Sequence, residues 1–149
     1  MKIRLFPLML LLIKISCAQM ISLGPFTLLE SMESARAKCI SLNHSDSYGS
    51  LEQYIADDGG KFPFQLMFSG NQVYSISMIA DNSSRADYER AVKDFTKILG
   101  RYPDNKYGPT ELLPMHGTVW WWYDQMTFDI TFVPKMNRVI LNLAPRYEN

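Results

Sequence analysis

Residues 127 to 144, "TFDITFVPKMNRVILNLA", alternate apolar and polar side chains through two runs separated by a short break. Side chains of a strand point alternately to its two faces. Phe128, Ile130 and Phe132 therefore share a face, and across the "PKMN" turn Val139, Leu141 and Leu143 share it with them. Such a hairpin must be covered on one side by another layer. The same parity applied to "TVWWWYD", residues 118 to 124, sends Val119, Trp121 and Tyr123 inward and leaves Thr118, Trp120, Trp122 and Asp124 outward. Trp120 and Trp122 would then stand about 7 Å apart along one strand, flanked by Asp129, Thr131, Ile140 and Asn142. These six residues are the candidate binding site. Outward tryptophans require a cover, which a partner protein, a ligand, a second copy of the chain or the 101–117 connection folding back would supply. Tryptophan dominates protein interfaces, at about 2 kcal/mol or more for a central residue, and it also stacks on sugar rings.

The remaining segments read as two helices and further strands. Leu28, Met32, Ala35 and Cys39 recur at helical spacing, predicting a first helix from Thr27 to about Ile40. "SLNHSDSYGS" has loop composition, "SLEQYIAD" suits a short strand, and "FQLMF" and "QVYSISMIA" joined by "SGN" read as a hairpin. In "DNSSRADYERAVKDFTKILG" the stripe Tyr88, Ala91, Val92, Phe95, Ile98 and Leu99 predicts a second helix. It carries a capping-box variant at Ser84 and Asp87 and a cap at Gly100. "RYPDNKYGPTELLPMHG" reads as an irregular connection. The expected fold is α+β, with both helices packed on one face of a mostly antiparallel sheet of five to six strands. It admits division into two similar α-β-β-β halves, 25–80 and 83–145, in which Phe64, Leu66 and Phe68 correspond to Phe128, Ile130 and Phe132.

"FTKILGRYPDNKYGP", "VWWWYD" and "FDITFVPKMNRVILNL", with the earlier "FQLMFSGNQVYSI", resemble the helix, turn, aromatic strand and hairpin unit of the β-lactamase-inhibitor-protein-like fold, shared with small bacterial envelope proteins of the outer-membrane-assembly lipoprotein type. The resemblance spans about 110 residues through degenerate motifs. It implies protein binding through an open sheet face and names no target. The first half lacks a tryptophan in its leading strand, and the disulfides of the secreted inhibitors are absent.

"MKIRLFPLMLLLIKISCA" has the basic start, apolar run and small-residue end of a secretory signal peptide, predicting cleavage after Ala18 and one globular domain over 19–149. A lipoprotein anchored at Cys17 is the rival, although Lys14 stands where such signals carry an apolar residue. Loss of Lys2, Arg4 and Lys14 from 15 basic and 15 acidic residues leaves 12 against 15, a net charge of −3. That balance, without basic clusters, argues against nucleic acid and against anionic membrane surfaces. Periplasmic or secreted localisation follows. Cys39 is then the sole cysteine, expected hidden rather than reactive.

No motif for catalysis or for a cofactor is recognisable. His44 and His116 lack zinc-ligand spacing, "HSD" at 44–46 cannot form a triad from consecutive residues, and Asp57 and Asp58 before two glycines are turn residues. The methionines are scattered and suit core filling. The leading reading is an exported, non-enzymatic, protein-binding or inhibitor-like module. An envelope structural or assembly factor is favoured if Cys17 is lipidated, a carbohydrate-binding protein is the other binding alternative, and a hydrolase requires His44 or His116 to meet acids in a cleft.

Overall fold

The computed structural model describes residues 22–107 and 117–146, with backbone alone at 107 and at 15, 16, 19 and 20. The signal-peptide cleavage after Ala18, Cys17, His116 and the 108–116 part of the connection lie outside the described residues.

Two short ladders open the chain: β1 (Ile15–Ser16) with β2 (Gln19–Met20), and β3 (Ser22–Leu23) with β4 (Phe26–Thr27). A helix α1 (Met32–Ala37) precedes the meander β5 (Ser41–Tyr48), β6 (Leu51–Asp57), β7 (Phe64–Ser69) and β8 (Gln72–Ala80). A helix α2 (Arg85–Leu99) precedes a second, β9 (Asn105–Tyr107), β10 (Gly117–Trp122), β11 (Met126–Val133) and β12 (Arg138–Pro145). The two meanders meet through their last strands, giving one antiparallel sheet of order β5-β6-β7-β8-β12-β11-β10-β9. Each half is thus a helix followed by four strands.

This corrects the expected architecture of two helices on five to six strands. The sheet has eight strands, and α1 has only 6 residues where a helix from Thr27 to Ile40 was expected. The segment before α1 takes its hydrogen bonds from β8 instead: Leu29 N–H donates to the Val73 carbonyl at 2.8 Å and Val73 N–H to the Glu30 carbonyl at 2.9 Å. Ser31 then caps α1 by accepting from Ser34 N–H. Leu28 and Ala35 are still buried, and Met32 and Cys39 are partly buried against the core, so the apolar spacing reported burial and misreported conformation. "SLNHSDSY" is strand β5 rather than a loop. As the outermost strand it runs past the covering layer with both faces largely exposed, and without a buried face there is no alternation to read. The fourth strand of the second half, β9, comes from the connection read as irregular; it pairs Asn105 with Trp120 and Tyr107 with Thr118.

Inward side chains build one core along the sheet. Phe64, Leu66 and Phe68 of β7 share it with Phe128, Ile130 and Phe132 of β11, all at 4 % exposure or less. In β8 the register shifts at Met67/Phe68, setting Phe68 against Val73 and Met67 against Ser75. The extra residue, Tyr74, lets Val73 and Ile76 both face inward. α2 begins with the Ser84 and Asp87 capping box and ends on left-handed Gly100, and its Phe95 lies 4.9 Å from Phe128, itself 5.5 Å from Trp121. Over the first half, Phe26 meets Phe64 edge-on at 5.1 Å. Gly24 permits this: its φ is +62° and a Cβ there would lie 2.4 Å from the Phe64 ring.

Phe128 joins the second helix to the aromatic strand, and its replacement leaves a cavity among rings that cannot collapse onto one another. Phe128→Ala is expected to cost about 3–5 kcal/mol of folding stability, read as a lower urea midpoint at unchanged slope.

Candidate functional site

Directly paired residues of neighbouring strands share a face. The register pairs Trp120 with Asp129, Asp129 with Asn142 and Asn142 with Ser77. One row of outward side chains therefore crosses four strands. Beside it, Thr118, Thr131 and Ile140 form a second row, ending at Ile79 of β8. All six residues of the candidate site fall on this face, five of them in these two rows and Trp122 beyond their end on β10.

Two chains of donors converge on Asp129. Ser77 Oγ donates to Asn142 Oδ1 at 2.8 Å, and Asn142 Nδ2 donates to Asp129 Oδ1 at 3.0 Å. On the other side Thr118 and Thr131 hydroxyls lie 2.9 Å apart, and Thr131 donates to Asp129 Oδ2 at 3.3 Å. Burial between strands raises the Asp129 carboxyl above the ordinary aspartate value, while the Asn142 and Thr131 hydrogen bonds pull it back down. No Lys or Arg among the described residues forms an ion pair with it.

A clasp at the end of α2 fixes the aromatic strand in the sheet plane. Asp104 donates its N–H to the Trp120 carbonyl at 2.8 Å and accepts the Trp122 N–H at 2.6 Å. Arg101 pairs with Asp104 at 3.1 Å, donates to the Trp122 carbonyl and lies 4.7 Å from the Tyr123 ring centre. The fully buried Trp121 donates its indole N–H to the Arg101 carbonyl at 3.1 Å. The start of the 101–117 connection thus lies along the sheet edge rather than over the outward face. Tyr123 is half-buried against the core, Trp120 is half-buried, and Trp122 is 37 % exposed under the guanidinium of Arg146 at 5.2 Å.

Residues considered for chemistry elsewhere are dispersed. His44 lies on the exposed β5 strand with Ser47 3.1 Å from its Nε2 and Tyr54 edge-on to its ring. Asp57 and Asp58 accept the N–H groups of Gly59 and Gly60. The Cys39 thiol donates to the Ala35 carbonyl, and burial raises it above the usual thiol value. Among the described residues no three His, Cys, Asp or Glu side chains gather as a metal site, and no helix is long and apolar enough to cross a membrane.

Ser77 and the Arg101–Asp104 clasp are the members that sequence reasoning missed. Ser77 sits at an outward position of β8, but its junction with Asn142 depends on a strand pairing across 65 residues, which no local pattern announces. Comparison with protein-family models, with curated proteins and with solved structures gives no match.

Because folding raises the Asp129 carboxyl, the native state gains relative stability below the unfolded aspartate value of about 3.9 and loses it as pH rises through the folded value. The stability of Asp129→Asn relative to the parent is therefore expected to increase between pH 3 and pH 7, measured by urea unfolding at each pH; a difference that falls with pH would contradict the burial of this charge.

Proposed function

We propose that the chain is an exported, non-enzymatic binding module that engages another protein through the outward face of β10, β11 and β12. The observation that carries this reading is the continuous patch made by Trp120, Asp129, Asn142 and Ser77, in which an aromatic plane adjoins a rigidly hydrogen-bonded polar rail. Large aromatic surface beside fixed polar groups is the composition of an interface centre. The resemblance to the β-lactamase-inhibitor-protein-like fold supports the same use of a sheet face, and the signal-peptide pattern supports export. Mass spectrometry of the exported protein is expected to find Gln19 at its N-terminus, and a diacylated Cys17 would move it to the envelope-anchored class.

A carbohydrate ligand is the second reading, favoured by the placement of a carboxamide and a carboxylate beside an indole, which suits stacking and hydrogen bonding to a sugar ring. Replacing Trp120 and Trp122 with Ala in a variant that keeps its near-ultraviolet circular dichroism separates the outcomes. Loss of about 2 kcal/mol per central tryptophan, about thirtyfold in affinity, is expected for a captured protein partner. Retained capture of the same proteins removes this face as the interface, and binding transferred to envelope polysaccharide installs the sugar reading.

A further inference from the structure

We infer that Trp120 and Asp129 form a receptor for one cationic side chain of the protein partner, an arginine guanidinium, stacked on the indole and bridged to the carboxylate. This rests on the outward face being a protein interface. Three observations lead to it. An ionised carboxylate has about four acceptor positions; Asn142 and Thr131, both on the same face of the sheet, occupy two at Asp129. The remaining capacity belongs to a half-buried charge with no cationic partner among the described residues. Burying such a charge costs free energy unless a partner compensates it.

The fold itself does not call for that charge. Under the correspondence that sets Phe64 beside Phe128, the residue equivalent to Asp129 is Gln65, which donates to Gln53 Oε1 at 2.6 Å and sits opposite Ile55. The first half thus completes the same position with a neutral amide beside an aliphatic side chain, where the second has a carboxylate beside a tryptophan. An anion and an aromatic plane introduced together are the two halves of guanidinium recognition.

The aromatic strand also shows what its rings accept. Arg146 lies 5.2 Å from the Trp122 ring and Arg101 4.7 Å from Tyr123. Trp120, the ring paired directly with a carboxylate, has no such arginine among the described residues. Arginine is preferred to lysine because its planar fork satisfies stacking and carboxylate geometry together.

The test titrates the intact, isotope-labelled protein with acetyl-Gly-Arg-Gly-amide, with the lysine peptide and with the citrulline peptide, a neutral isostere of arginine. The arginine peptide is expected to shift the Trp120 indole N–H and the Asp129 carboxyl carbon and to lower the Asp129 titration midpoint. The lysine peptide should bind severalfold more weakly and the citrulline peptide at least tenfold more weakly. Asp129→Asn, which preserves shape, should reduce arginine-peptide affinity at least tenfold, and Trp120→Leu severalfold, with Trp120→Phe partly restoring it. Equal response to citrulline, unchanged affinity in Asp129→Asn, or shifts confined to other residues would overturn the proposal. If the Trp120, Trp122 double variant loses protein capture while Asp129→Asn keeps it, the cation receptor fails and the interface stands; capture unchanged in both removes the interface itself.

Discussion

The antiparallel pairing of β8 with β12 holds the molecule together as one sheet. Each meander presents an inward apolar face, but a four-stranded sheet with a single helix leaves much of that face in water. Pairing the last strand of one meander with the last strand of the other sets Met78 beside Leu141 and Ile76 beside Leu143, so the two apolar faces become one. The same register sets Ser77 beside Asn142 on the opposite face. A single choice of register therefore fixes both the continuity of the core and the polar rail that ends at Asp129. A slip of one residue would reverse every inward and outward side chain of the strand, which is why the buried face specifies the outward one.

Where one face of an element is buried and the other is not, the chain announces it. Parity places Trp121, Phe128 and Leu141 in the core and Trp120, Asp129 and Asn142 on the other face, and the structure has them there. α2 is equally plain, because Ser84, Asp87 and Gly100 are local capping residues whose hydrogen bonds close within the helix ends. β5 was invisible because neither of its faces is buried along most of its length. α1 was overextended because Leu28 reaches the core from a segment bonded to β8, and periodicity alone cannot tell a helix from an extended chain that makes the same contacts. β9 was missed because three residues after a proline carry too short a pattern. Of the candidate site, the parity of single strands was legible. Ser77 and the Asp104 clasp were not, since they reach it through long-range pairing.

The outward face is neither a bare aromatic patch nor a charged surface. Its polar groups bond one another: hydroxyl to carboxamide to carboxylate on one side, hydroxyl to hydroxyl to carboxylate on the other. Such a network lowers the desolvation cost of its neutral members: Asn142 both accepts and donates within it, and the Ser77 and Thr131 hydroxyls donate. It does not remove the cost of the charge, because neutral donors spread a carboxylate's field without cancelling it. The upward shift at Asp129 is the balance of those two effects, with burial the larger.

Rigidity is the other property this arrangement confers. Association loses about 0.5–1.5 kcal/mol for every flexible side chain it immobilises. Asp129 and Asn142 are already held by their hydrogen bonds to one another and to Thr131 and Ser77, and the strand carrying Trp120 is bonded on one edge to β11 and on the other to β9 and Asp104. Under the proposed binding role, these groups are ordered before a ligand arrives. Solvated charges of this half, such as Lys93 and Lys97 on α2, lie on exposed helical positions instead. Under the proposed cation receptor, selectivity follows from this fixed geometry: a planar cation gains both the stacking and the charge contact without reorganising the receptor, and a ligand lacking either feature leaves the carboxylate partly desolvated and unpaired.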